Sequence, residues 1–150
     1  MKSQFVYVSY IRATPEKLWQ AFTTPRLMSQ YWVGMETETD WNVGSTWTMK
    51  FPDGRVADSG EIIEFSPNTC LVLMWRNEWK PEMRDEGFSR CTFELEPAHG
   101  AVKLTVTHGI DVPNSKFIES MSGAWPICLS NLKSLLETGE VILKDTTRHA

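Results

Sequence analysis

The sequence predicts an α+β fold: a seven-stranded antiparallel sheet curved around one long C-terminal helix. Three observations carry this. Two short proline-started helical stretches follow the first apolar-alternating segment. The next eighty residues alternate or run apolar between turn-rich groups, as antiparallel strands do. The only long apolar helical pattern lies near the end, from about Asn114 to Glu140, and a sheet of this size needs its apolar face covered.

The first strand spans about Gln4 to Arg12, with Phe5, Tyr7, Ser9 and Ile11 on one face and Val6, Val8 and Tyr10 on the other. Thr14 then reads as a helix cap with Pro15 at the first helical position, where its missing N–H matters least. Thr24 and Pro25 repeat the device. Leu18, Trp19 and Phe22 give the first short helix its apolar face; Leu27, Met28 and Tyr31 do so for the second.

Six strands after this helix pair fit one meander, punctuated by "NVGS", "PDGR", "SPNT" and "EPAHG". Alternation assigns inner faces: Trp47, Met49 and Phe51; Cys91, Phe93 and Leu95; Val102, Leu104, Val106 and His108. "CLVLMWR" is apolar on both faces, so Leu71, Leu73 and Trp75 compete with Cys70, Val72 and Met74. Asn77–Gly87 reads as a mobile polar loop, with Trp79 as an exposed anchor candidate. In the last helix, Phe117, Met121, Trp125, Leu129 and Leu132 keep one stripe through Pro126, which favours one bent helix over a break with a new start at Ser122.

The 150 residues are 41% hydrophobic and 23% charged, which suits a single domain, 1–150, with a polar tail from about residue 144. A net charge of −4 leaves no basic surplus for phosphates, so nucleic acid is not an expected partner. No apolar run reaches a membrane span, and Met1–Tyr10 lacks a targeting pattern. The three scattered cysteines look reduced, so the expected location is cytoplasmic.

"RATPEKLWQAFTTPRLMSQYW", "GEIIEFSPNTCLVLMWR", "SRCTFELEP", "VKLTVTHGI" and "GAWPICLSNLKSLLETG", in order from Arg12 to Gly139, resemble the activator of heat-shock protein 90 ATPase homologue family. That family lies in the START-like (SRPBCC, polyketide cyclase-like) superfamily. The resemblance implies the helix-grip fold, with a hydrophobic cavity between sheet and helix. It implies little about activity, since the superfamily holds co-chaperone domains, lipid carriers, receptors and cyclases.

His108 is the sharpest chemical candidate. It ends the apolar face of its strand, where an imidazole could bond a ligand or act as a general base. The plain alternative is a rim histidine bonded to a backbone carbonyl. Glu61 is the second candidate. It shares parity with Ile63 and Phe65, whereas Glu64 shares parity with Ile62, so one of the two is a candidate for the cavity, with Arg76 or Arg90 as partner. The alternative is that both are solvated or paired across strands. His99 lies in a turn and His149 in the tail, so no metal set is expected. "GMETETD" lacks the ligand pattern of a calcium loop. No nucleophile elbow, phosphate loop or dinucleotide turn is present, and no cofactor is expected.

Seven tryptophans are the unusual count. With the implied cavity, Trp32, Trp47, Met49, Met74, Trp75, Cys91, Phe93, His108, Met121 and Trp125 form the candidate ligand-binding set. The leading expectation is therefore a binder of a small hydrophobic or aromatic molecule, as a monomer or homodimer. A cyclase- or hydrolase-type enzyme using His108 with a carboxylate, and a chaperone-cofactor-like interaction module, are the alternatives.

Overall fold

The computed structural model describes residues 1–32 and 34–144; His149 and the tail beyond residue 144 lie outside them. The elements run β1 (Ser3–Ile11), α1 (Pro15–Thr23), α2 (Pro25–Tyr31), β2 (Glu36–Glu38), β3 (Thr46–Lys50), β4 (Val56–Ser66), β5 (Cys70–Asn77), α3 (Pro81–Arg84), β6 (Ser89–Ala98), β7 (Ala101–Ile110) and α4 (Lys116–Thr138). The seven strands form one antiparallel sheet in the order β1-β7-β6-β5-β4-β3-β2. Strands β2 to β7 are a meander, and β1 closes on β7. The helix-grip architecture expected from the sequence is the one observed, and α4 supplies the core with Phe117, Met121, Trp125, Leu129 and Leu132.

The helix starts follow local chemistry. Thr14 Oγ1 accepts the Lys17 N–H at 3.2 Å, as expected of a cap. Thr24 occupies the equivalent place before Pro25, but its side chain makes no capping bond. Helix α4 is capped by Ser115 Oγ, which accepts the Ile118 N–H at 3.0 Å, and it ends at Gly139 in the left-handed region, φ 87°. It runs unbroken through Pro126. Ser122 does not start a new helix; its hydroxyl donates back to the Glu119 carbonyl at 2.6 Å.

The connection between β5 and β6 is tied down at both ends, contrary to the expected mobile loop. Asn77 Oδ1 accepts the N–H groups of Trp79 and Lys80 at 3.1 and 2.8 Å, which turns the chain into α3. At the far end the Glu86 carboxylate accepts from Ser115 Oγ at 2.6 Å and Lys116 N–H at 2.8 Å, at the positive end of α4. Trp79 is no exposed anchor. It is half-buried, packs on the core and meets Phe51 edge-on at 5.4 Å.

Candidate functional site

The sheet brings two indoles together across a glycine. Trp47 on β3 and Trp75 on β5 are both in register with Gly60 on β4, and their ring centroids are 4.8 Å apart. A Cβ at Gly60 would lie 1.6 Å from the Met74 carbonyl oxygen, so only glycine permits this approach of strands. Trp32, just after α2, and Trp125, from α4, complete the group. Trp125 lies 5.0 Å from Trp32 and 5.7 Å from Trp75, both edge-on, the arrangement the ring quadrupoles favour.

Beside this cluster His108 is completely buried. Trp125 Nε1–H points at His108 Nδ1 at 3.1 Å, and an indole N–H can only donate. Nδ1 is therefore the acceptor, and the ring proton sits on Nε2, which donates to Ser89 Oγ at 2.8 Å. Ser89 in turn donates to the Trp75 carbonyl at 2.7 Å. The chain Trp125, His108, Ser89, Trp75 is satisfied at every link and joins α4 to β5, β6 and β7. Burial holds the imidazole neutral, with its pKa pushed down to about 3. Both ring nitrogens are committed, which leaves no lone pair to take a substrate proton.

The cavity opens on the other side of the indoles. Phe22, Met28, Tyr31 and Trp32 wall it from the helix pair, Thr37, Trp41 and Trp47 from the sheet edge, Leu71, Leu73, Trp75 and Phe93 from the central strands, and Trp125, Cys128 and Leu129 from α4. None of these side chains carries a charge. Burial, and secondarily Cys128, raises the Tyr31 phenol; burial, and secondarily Cys91, raises the Cys128 thiol, so both stay protonated. Tyr31 Oη donates to the Ala21 carbonyl at 2.9 Å. Two polar atoms of the lining, Thr37 Oγ1 and Trp75 Nε1, are buried and find no partner among the described residues. The cavity volume is about 30 Å³. A space of this size has room for water but not for an aromatic ring with the walls as they stand.

A family model described as activator of Hsp90 ATPase homolog 1-like protein matches residues 12–137. The chain belongs to this family. No curated protein matches it. A protein of Mesorhizobium loti superposes with a TM-score of 0.78 at 23% identity, over 93% of this chain and 100% of the other. The Aha1 dimer from Colwellia psychrerythraea gives 0.75 at 23%, over 91% and 98%. An HSP90 activator from Plasmodium falciparum gives 0.72 at 23%, over 89% and 95%. Identities this low speak for the shared fold alone.

In this member of the Hsp90-ATPase-activator homologue family, five of the residues singled out from sequence meet at the cavity: Trp32, Trp47, Trp75, Phe93 and Trp125. Met49, Cys91, Met121 and His108 are buried in the core but do not wall it. Met74 is on the opposite face. Register partners share a face, and those of Met74 are the exposed Glu61 and Arg90. Glu61 is thus outside the cavity, and Glu64 is exposed as well. The parity argument failed because a bulge between Ile62 and Glu64 inserts one residue, so Ile62 and Phe65 both turn inward. His108 and Glu61 therefore do not form an acid–base pair. Thr37, Trp41 and Cys128 were missed, and the other lining residues were read only as apolar faces of their elements. The alternation of acid and threonine in "ETE" is the signal that could have found Thr37, which the structure buries between two exposed glutamates. Among the described residues no His, Cys, Asp and Glu cluster could hold a metal ion, and no helix is long and apolar enough to cross a membrane.

Proposed function

We propose that this family member binds a small hydrophobic or aromatic molecule in the cavity between the helix pair, the sheet and α4, without chemistry of its own. The observation that carries this is the lining: rings and aliphatic side chains with no ionised group among them, the usual wall of a small-molecule site. The walls part most cheaply at the sheet edge. Strand β2 has three residues and, among the described residues, pairs with β3 alone, and the segment that follows α2 begins near Gly34, φ 79°, and ends at Trp41, φ 58°. A tryptophan in the left-handed region is strained, so releasing it offsets part of the cost of opening. Half-buried Trp41 and the edge of Trp32 are then the moving wall.

The test is a panel of single-ring and two-ring aromatic compounds, read by tryptophan fluorescence and melting temperature. A ligand raises the melting temperature and alters emission from the indole cluster. A panel that leaves both unchanged at saturation overturns the reading. The free thiols Cys70, Cys91 and Cys128 fit a cytoplasmic setting. Because one structural neighbour is described as a dimer, sedimentation of this chain decides between monomer and homodimer.

A further inference from the structure

Trp75 and Trp125 have different indole fates. The N–H of Trp125 is spent on His108, whereas that of Trp75 has no partner among the described residues. Trp75 is 1% exposed, so water outside the protein does not satisfy it. Thr37 Oγ1 is in the same condition. It reaches the same sheet face, because Thr37 is in register with Met49, two residues along β3 from Trp47, and Trp47 meets Trp75 across Gly60. Both side chains wall the cavity. A buried donor left unmade is costly, and native folds rarely carry two around one space without a use.

We propose that the cavity is built for an uncharged single-ring aromatic compound carrying a hydrogen-bond acceptor, which takes the Trp75 Nε1–H with Thr37 Oγ1 as its second partner. This rests on the reading of the cavity as a ligand site and adds the chemistry of the ligand. The acceptor follows from the indole, which can only donate; a carbonyl oxygen has two lone pairs and serves both groups. The ring follows from walls made of ring faces and edges, against which a flat molecule packs edge-on or offset. Neutrality follows from the absence of any ionised side chain in the lining, since an unpaired carboxylate does not survive desolvation there. A single water is the poorer occupant. It would be held by two groups, where buried waters usually have about three.

The test pairs acetophenone with α-methylstyrene, which replaces the carbonyl oxygen by a methylene and keeps the shape, with benzoate as the charged control. Each affinity is scaled to that compound's partition from water into an alkane, and the indole N–H resonances of nitrogen-15-labelled protein are followed. The expected result has three parts. Acetophenone exceeds its alkane-scaled affinity by at least about tenfold relative to α-methylstyrene. It moves the Trp75 N–H resonance, and benzoate does not bind. Thr37→Val, which preserves shape, lowers that ratio several-fold. Where Trp75→Phe does not fold, the resonance is assigned through bonds in the unsubstituted protein. Equal scaled affinities, or a Trp75 N–H unmoved by saturating acetophenone, overturn the acceptor while the cavity remains a ligand site. So does a Trp75 N–H cross-peak to a bound water that persists at saturation. If neither compound moves any indole resonance, the ligand site itself falls.

Discussion

Acidification removes stability from this fold through His108, before the cavity is ever occupied. Folded, the imidazole is buried and neutral with a pKa of about 3; unfolded, it has the ordinary value of 6.5. Below pH 6.5 the unfolded chain therefore binds a proton that the folded chain refuses. Stability is complete above 6.5 and is lost progressively as pH falls toward 3. Each unit is worth about 1.36 kcal/mol, so the whole window amounts to about 5 kcal/mol. Between pH 7 and pH 4.5 the loss is about 2–3 kcal/mol, a large part of the stability of an ordinary domain. Urea unfolding at pH 7, 5.5 and 4.5 measures it, with His108→Gln as the reference. Glutamine does not titrate but can still accept from Trp125 and donate to Ser89. Carboxylates protonate alike in both proteins and cancel in the difference. The unsubstituted protein should lose about 2–3 kcal/mol more than the variant across that interval. Nitrogen-15 shifts should also show the Nε2–H tautomer unchanged at pH 5. Parallel losses in the two proteins, or a His108 titration near pH 6, would refute the buried, doubly committed imidazole.

Three further substitutions probe the scaffold. Gly123→Ala should raise stability by about 0.5–1 kcal/mol in urea unfolding, because the position is exposed inside α4 and an added Cβ meets nothing within 4 Å; a loss would mean that the helix needs glycine beside Pro126. Glu86→Ala should cost about 1–2 kcal/mol and loosen the first turn of α4, visible as faster amide exchange at Lys116 and Phe117; unchanged exchange would remove Glu86 as a cap. Gly60→Ala should be far worse, costing at least about 3 kcal/mol or preventing folding, since its Cβ would collide with the Met74 carbonyl. A well-folded Gly60→Ala protein with unchanged near-ultraviolet circular dichroism would show that strand β4 can shift without disturbing the indoles.

Much of this protein is written locally. Threonine followed by proline started α1, and the apolar stripe from Phe117 to Leu132 marked α4, because caps and helical period need only near neighbours. Alternation put Trp47, Cys91, Phe93 and His108 on the inner face, since a strand turns its side chains by a fixed half-turn whatever lies beyond it. The same rule misplaced Glu61, because a bulge is a property of two paired strands and the second strand is not visible from the first. It was silent on "CLVLMWR", whose faces are equally apolar; only the exposed partners Glu61 and Arg90 turn Met74 outward and Trp75 in. The chemistry of the site was decided later still. From sequence, His108 was either a group for a ligand or a rim histidine bonded to a backbone carbonyl, and Trp75 and Trp125 were alike. The packing of α4 against β7 set Trp125 on His108 and left the Trp75 indole N–H without a partner among the described residues, and hydrogen-bond occupancy depends on groups that meet only when the chain is folded.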